Sequence, residues 1–150
     1  MRTLKLITIA ALAGFLMVGC CSKCRKAREN ATRPLQGTVW HLIQMDGKTV
    51  DAPDKYEITF FNNGRVGGIG ECNRYFGTYE VLNANGGIRM SKMASTMMAC
   101  LNPNMEYEFM QMLEEVHLYQ FDASNLYLFV DGKLKAVFEP TAKPVNEPAE

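Results

Sequence analysis

Apolar and polar positions alternate at period two over long parts of residues 38–138, the pattern of strands with one buried face. Residues 38–45 set Trp40 and Leu42 on one face, and Asp46-Gly47 supplies a tight hairpin turn. Residues 56–60 alternate in the same way, which predicts a half-buried strand. Asn62-Asn63-Gly64 turns the chain back into residues 65–68. Short strands follow over 78–82 and 87–93, the second with Ile88 and Met90 on one face, joined by the polar loop 83–87. The period then changes. Leu101, Met105, Phe109, Met112, Leu113 and Val116 recur at helical spacing. Asn102 suits the N-cap and Pro103 the first helical position. Glu106, Glu108, Glu114 and Glu115 are expected to face water. Strands over 116–121, 126–130 and 133–138 complete the series, with turns at 122–125 and at Asp131-Gly132. Pro140, Pro144 and Pro148 stand among polar residues, so 140–150 is read as a disordered tail.

Strands, one helix, then strands again, joined by short hairpins, predict an α+β fold that is mostly antiparallel β. The expected architecture is a curled sheet or partial barrel packed with one main helix over its open end or face. Residues 35–139 are long enough for a single domain with a real core.

The stretch Gly68-Ile69-Gly70-Glu71-Cys72-Asn73-Arg74-Tyr75-Phe76-Gly77-Thr78-Tyr79 is the centre of this arrangement. Its glycines are read as allowing a sharp turn, because glycine reaches positive φ without steric cost, and those of the run over 64–70 as permitting curvature or bulges. A second segment, Met93-Ala94-Ser95-Thr96-Met97-Met98-Ala99-Cys100, brings another cysteine. The two segments are read as packed together with Cys72 bonded to Cys100. Spacing alone leaves three connectivities open among Cys21, Cys24, Cys72 and Cys100.

The amino terminus changes the picture from a soluble domain to an exported one. Arg2 and Lys5 precede an uncharged run over 6–18, too short for the roughly 20 residues of a membrane-spanning helix. Residues 1–19 are therefore read as a signal peptide. Leu16-Met17-Val18-Gly19-Cys20 resembles a lipoprotein cleavage box, with methionine where leucine is usual; the resemblance implies acylation of Cys20. Residues 20–34 are read as the lipidated cysteine and a flexible basic linker. Removing residues 1–19 leaves 14 Lys+Arg against 16 Asp+Glu, a net of −2. Lys23, Arg25, Lys26, Arg28 and Arg33 against Glu29 give the linker +4, so the rest of the chain, residues 35–150, carries −6. A basic strip suits anionic headgroups and equally a plain solvated tether, while an acidic body has no attraction for nucleic acid. Cys21-Ser22-Lys23-Cys24 has C-x-x-C spacing but no second ligand pair, and a local disulfide or idle thiols are expected.

Trp40-His41-Leu42, the Gly70–Tyr79 stretch, the Met93–Cys100 segment and Glu106 together resemble the META domain of the HslJ-like heat-shock family. The resemblance covers nearly all of 35–139. It implies a small β-rich partial barrel in the cell envelope with no established enzymatic activity, linked in relatives to stress or antibiotic tolerance and to secretion or virulence. It also favours the Cys72–Cys100 pairing.

Candidate chemistry is sparse. His41 and His117 sit in strand patterns and are expected to be surface or satisfied strand histidines rather than ligands or bases. Ser95 and Thr96 have no acid or histidine close in sequence, and the glycine-rich run opens no helix as a phosphate loop does. Met93, Met97, Met98 and Cys100 fit a soft-metal set on paper, but core packing is the expectation. Asn73, Arg74, Gly77, Tyr79 and Thr96 form the binding or structural signature, with Arg74 free to pair with Glu71 or Glu80. The expected function is that of a non-catalytic, lipid-anchored envelope protein facing the periplasm from the outer membrane, monomeric, without cofactor or metal. Alternatives are a barrel holding an acyl chain, a protease inhibitor and a thiol-redox protein using Cys72 and Cys100.

Overall fold

In a computed structural model, residues 34–101, 103–122, 124–142 and 145 are described. The signal peptide, Cys20, Cys21, Cys24 and the linker up to residue 33, the expected N-cap Asn102, and tail residues 143–144 and 146–150 lie outside them. The strands are β1 (Val39–Met45), β2 (Lys48–Thr49), β3 (Tyr56–Phe60), β4 (Arg65–Gly70), β5 (Asn73–Val81), β6 (Ile88–Ser95), β7 (Leu118–Phe121), β8 (Leu126–Val130) and β9 (Lys133–Pro140). One helix, α1 (Pro103–Glu115), separates β6 from β7. The strands form a single antiparallel sheet in the order β6-β5-β4-β3-β1-β9-β8-β7, with β2 pairing β1.

The sheet curls until its ends meet at one corner. Gly87 bridges Leu118, the Ile88 amide donates to the His117 carbonyl, and the Tyr119 amide donates to the Gly86 carbonyl at 2.8 Å. Gly86 has φ +89, and a Cβ there would overlap the Tyr119 carbonyl, so the seam requires glycine. Away from that corner the edges part, and α1 lies in the gap against β6 and β4. Its Phe109 is fully buried and meets Tyr56, Tyr75 and Phe138 with ring centroids 5.4, 5.8 and 6.4 Å apart. The helix is held by that apolar stripe rather than by propensity. The concave side of the sheet is thus filled by side chains, with Phe60 against Tyr79 at 5.0 Å extending the aromatic cluster.

Several local expectations change. The strand over 56–60 is buried on both faces, because the outward-facing Glu57 is covered and bonded by His41 Nε2 at 2.8 Å. The strand expected over 78–82 begins five residues earlier, at Asn73, because the chain re-enters the ladder directly after Cys72. Pro140 does not stop the sheet: it is the last residue of β9, opposite Trp40, where a residue without an N–H is tolerated. Leu101 lies outside the helix and is 91% exposed, so the apolar stripe rests on Phe109, Met112, Leu113 and Val116 with Met105 partly buried.

Candidate functional site

The corner between β4 and β5 is built by Glu71, which takes the positive φ (+54) that the neighbouring glycines were expected to supply. The glycines serve close approach instead. At Gly77 a Cβ would overlap Met93 Sδ, opposite a β6 bulge where Lys92 has φ +55. Glu71 is buried, accepting from Lys55 Nζ at 2.9 Å and from the Tyr56 hydroxyl at 2.8 Å. The Lys55 ammonium holds its carboxyl below the usual range, helped by the Tyr56 hydroxyl. Burial and the Glu71 carboxylate push the Tyr56 hydroxyl far above the usual phenol range.

One residue further on, Cys72 is joined to Cys100 by a disulfide that closes 28 residues, with Cα atoms 5.6 Å apart. Asn73, buried on the first segment, binds the second segment and the helix. Its Oδ1 accepts from the Met98 amide at 2.7 Å and the Thr96 hydroxyl at 2.8 Å. Its Nδ2 lies 2.9 Å from Glu106 Oε2, 3.2 Å from the Met98 carbonyl and 3.1 Å from Cys100 Sγ. A disulfide sulfur carries no proton, so the 3.0 Å approach of Glu106 to Cys100 Sγ is a contact, with the carboxylate held by Asn73. Residues 96–100 belong to no strand or helix, and this one side chain satisfies backbone groups that a ladder would otherwise hold.

The expected site residues therefore separate into two groups. Cys72, Cys100, Asn73 and Thr96 meet at one point, and Glu106 joins them although its spacing assigned it to the solvated face. Tyr79 is elsewhere, beyond Gly77 along β5, accepting from Gln36 Nε2 and donating to the Phe61 carbonyl. Arg74 is exposed on the outer face; among the described residues it forms no ion pair with Glu71, which is turned to Lys55, or with Glu80. Met97 and Met98 are not core residues: they are 100% and 63% exposed. Met93 packs partly against the core. His41 is engaged with Glu57, and His117 Nδ1 accepts from the Asp131 amide. Among the described residues no group of three metal-ligating side chains gathers. A separate cleft of about 370 Å³ opens between the β1–β2 turn and the start of α1, lined by Met45, Val50, Met105 and a charged rim.

The Lys55–Tyr56–Glu71 cluster and the role of Glu106 were not visible in the sequence. The partners are 15 to 33 residues apart, and no periodicity links them.

A half-barrel of antiparallel strands, filled by one helix and stapled at the corner beside it, defines a small α+β module built around a cross-linked turn. The chain belongs to the META domain family, which matches residues 33–142. Two solved structures share the fold. A protein from Burkholderia xenovorans, determined by NMR, is 23% identical over 73% of this chain and 85% of its own, with a TM-score of 0.56. A DUF4847 family protein from Bacteroides vulgatus is 16% identical over 75% of this chain and 96% of its own, also with a TM-score of 0.56. No curated protein matches the chain.

Proposed function

We propose that this protein is a non-catalytic module of the cell envelope, held to a membrane through acylated Cys20, that acts by the contacts its surface makes and so supports stress or antibiotic tolerance or envelope assembly. The observation that carries this reading is the way the corner uses its polar groups. Glu71, Asn73, Thr96 and Glu106 are bonded to one another, to Lys55 and Tyr56, or to backbone, while apolar side chains of the same corner face outward. Glu71 is held ionised near neutral pH, unlike an acid or base whose pKa is matched to the working pH. An acyl chain inside the sheet is a weaker reading, because Phe109 and its ring neighbours fill that space.

The test is the fate of the full chain in a bacterial host. Expected are a membrane-bound product whose intact mass carries acyl chains on a new amino terminus at Cys20, and loss of that mass in Cys20→Ser. A wild-type product without acyl chains would overturn the anchoring, and retained hydrolytic or reductase activity that disappears with a corner substitution would overturn the non-catalytic role.

A further inference from the structure

The segment Met97-Met98-Ala99-Cys100-Leu101 carries only apolar side chains, yet Met97, Met98 and Leu101 are 100%, 63% and 91% exposed. Scattered apolar residues on a soluble surface are ordinary, but three large ones within five consecutive positions form a patch. This segment is not a loose loop. The disulfide fixes Cys100, and Asn73 grips the Met98 amide and carbonyl. The exposed side chains are therefore presented on a backbone that has already lost its freedom, which lowers the ordering cost of any contact they make.

We propose that this ridge docks on an anionic lipid bilayer. The inference rests on the reading of the protein as lipid-anchored and adds the face that meets the membrane. Three observations select a bilayer. The first is charge. The body, residues 35–139, holds 8 Lys+Arg against 13 Asp+Glu and would be repelled by anionic headgroups over most of its surface, but exposed Arg74 adjoins the ridge, its backbone paired with Thr96. Lys92, also exposed, follows along β6. The acidic groups of the corner are engaged: Glu71 with Lys55 and Tyr56, Glu106 with Asn73. The second is composition. Met97, Met98, Leu101 and the 52% exposed Phe76, which shares the outer face with Arg74, offer insertion side chains beside cations, the pairing that holds interfacial segments at the headgroup boundary. The third is reach. Residues 20–33 precede the described body, and at most about 3.5 Å per residue they span roughly 50 Å, more than the roughly 35 Å diameter of a domain this size. An anchored body can therefore turn any face to the bilayer, and the ridge is the face whose chemistry fits.

The experiment uses the full chain, with methionine methyl groups labelled for NMR, in phosphatidylcholine nanodiscs with and without phosphatidylglycerol. Paramagnetic labels on the acyl chains are expected to broaden the Met97 and Met98 methyls several-fold more than the buried Met90 and Met112 methyls. Phosphatidylglycerol should strengthen the effect, and Arg74→Glu with Lys92→Glu should abolish that dependence. Met97→Ser with Leu101→Ser, both on exposed side chains, should weaken vesicle binding of chain lacking the acyl groups by about tenfold or more. Failure of anchoring shows in the mass of the product. Failure of docking shows in an acylated, disc-bound protein whose Met97 and Met98 methyls respond only to a water-soluble paramagnet. Methyls that become shielded only when a second envelope protein is added would also overturn the proposal.

Discussion

The wall formed by β1, β9 and β8 is held by ladders and apolar packing: Leu42, Leu126, Leu128, Ala136 and Phe138 are all buried, and tight turns connect β8 to β9. The corner where β4 passes into β5 has another construction. The Thr96 amide still donates to the Arg74 carbonyl, but residues 97–100 have left the ladder, and their position is set by one asparagine, one disulfide and a glutamate from α1. Where every strand has a neighbour, burial of apolar side chains specifies the structure and few particular residues are indispensable. Where the ladder ends beside the helix, backbone groups have no repeating partner, and specific side chains must supply one.

The largest effect should come from the apolar side of this contrast. Phe109 is where the wall, the β4–β5 corner and the helix meet, in contact with Tyr56, Tyr75 and Phe138. Phe109→Ala should lower the unfolding free energy by about 3–5 kcal/mol, the cost of emptying a fully packed aromatic position. Urea denaturation followed by Trp40 fluorescence reads it directly, since Trp40 is 2% exposed. A loss below about 1 kcal/mol would mean that the helix is an appendage and that the sheet is stable without it.

The corner should respond next, and less additively. In the chain-entropy account a disulfide closing 28 residues contributes about 3–4 kcal/mol, so Cys72→Ser with Cys100→Ser should destabilise by roughly that much. Asn73→Ala strands the Met98 amide and the Glu106 carboxylate and should cost about 2 kcal/mol. Staple and asparagine hold the same five residues. The triple variant should therefore lose measurably less than the sum of the two, by at least about 0.5 kcal/mol. Strict additivity would show that Asn73 and the disulfide act on separate structures, and the contrast between wall and corner would collapse.

The same contrast explains what the sequence could reveal. Period-two alternation, hairpin turns at Asp46-Gly47 and Asp131-Gly132, and a helical stripe through Phe109 and Leu113 are repeating signals, and they lead to the sheet and helix found. Aperiodic contacts leave no such trace. Glu106 lies on the polar side of its helix by spacing, yet it turns to Asn73, 33 residues away. Met97 and Met98 read as core by composition, but their segment belongs to no periodic element, so nothing local decides their exposure. Even at Gly77, where a glycine was expected to shape the chain, the reason is the Met93 sulfur on the neighbouring strand rather than its own φ.

The smallest predicted effect concerns pH and separates the ionic part of the corner from its covalent part. The Lys55 ammonium and the Tyr56 hydroxyl keep the Glu71 carboxyl below its ordinary range in the folded protein. A carboxyl with a lowered folded pKa stabilises fully above its unfolded value, about 4.3, and that contribution disappears as pH falls through the folded value. With Lys55 partly exposed, its 42% accessible side chain limits the gain to about 1 kcal/mol. Asp122, held low by the Ser124 amide and the Tyr127 hydroxyl, adds to the same acid limb. Glu71→Gln should therefore flatten but not abolish the loss of stability below pH 4.3, measured as the urea midpoint between neutral and acidic buffers. The opposite limb has the opposite sign. Burial and Glu71 raise the Tyr56 hydroxyl, and burial raises the Tyr75 hydroxyl, so the fold loses stability as pH rises past the unfolded phenol value near 10. Removing the Glu71 charge eases Tyr56 ionisation and should shrink that alkaline loss as well. If Glu71→Gln left both limbs unchanged, the Lys55–Tyr56–Glu71 cluster would be bystander geometry, and the corner would rest on Asn73 and its disulfide alone.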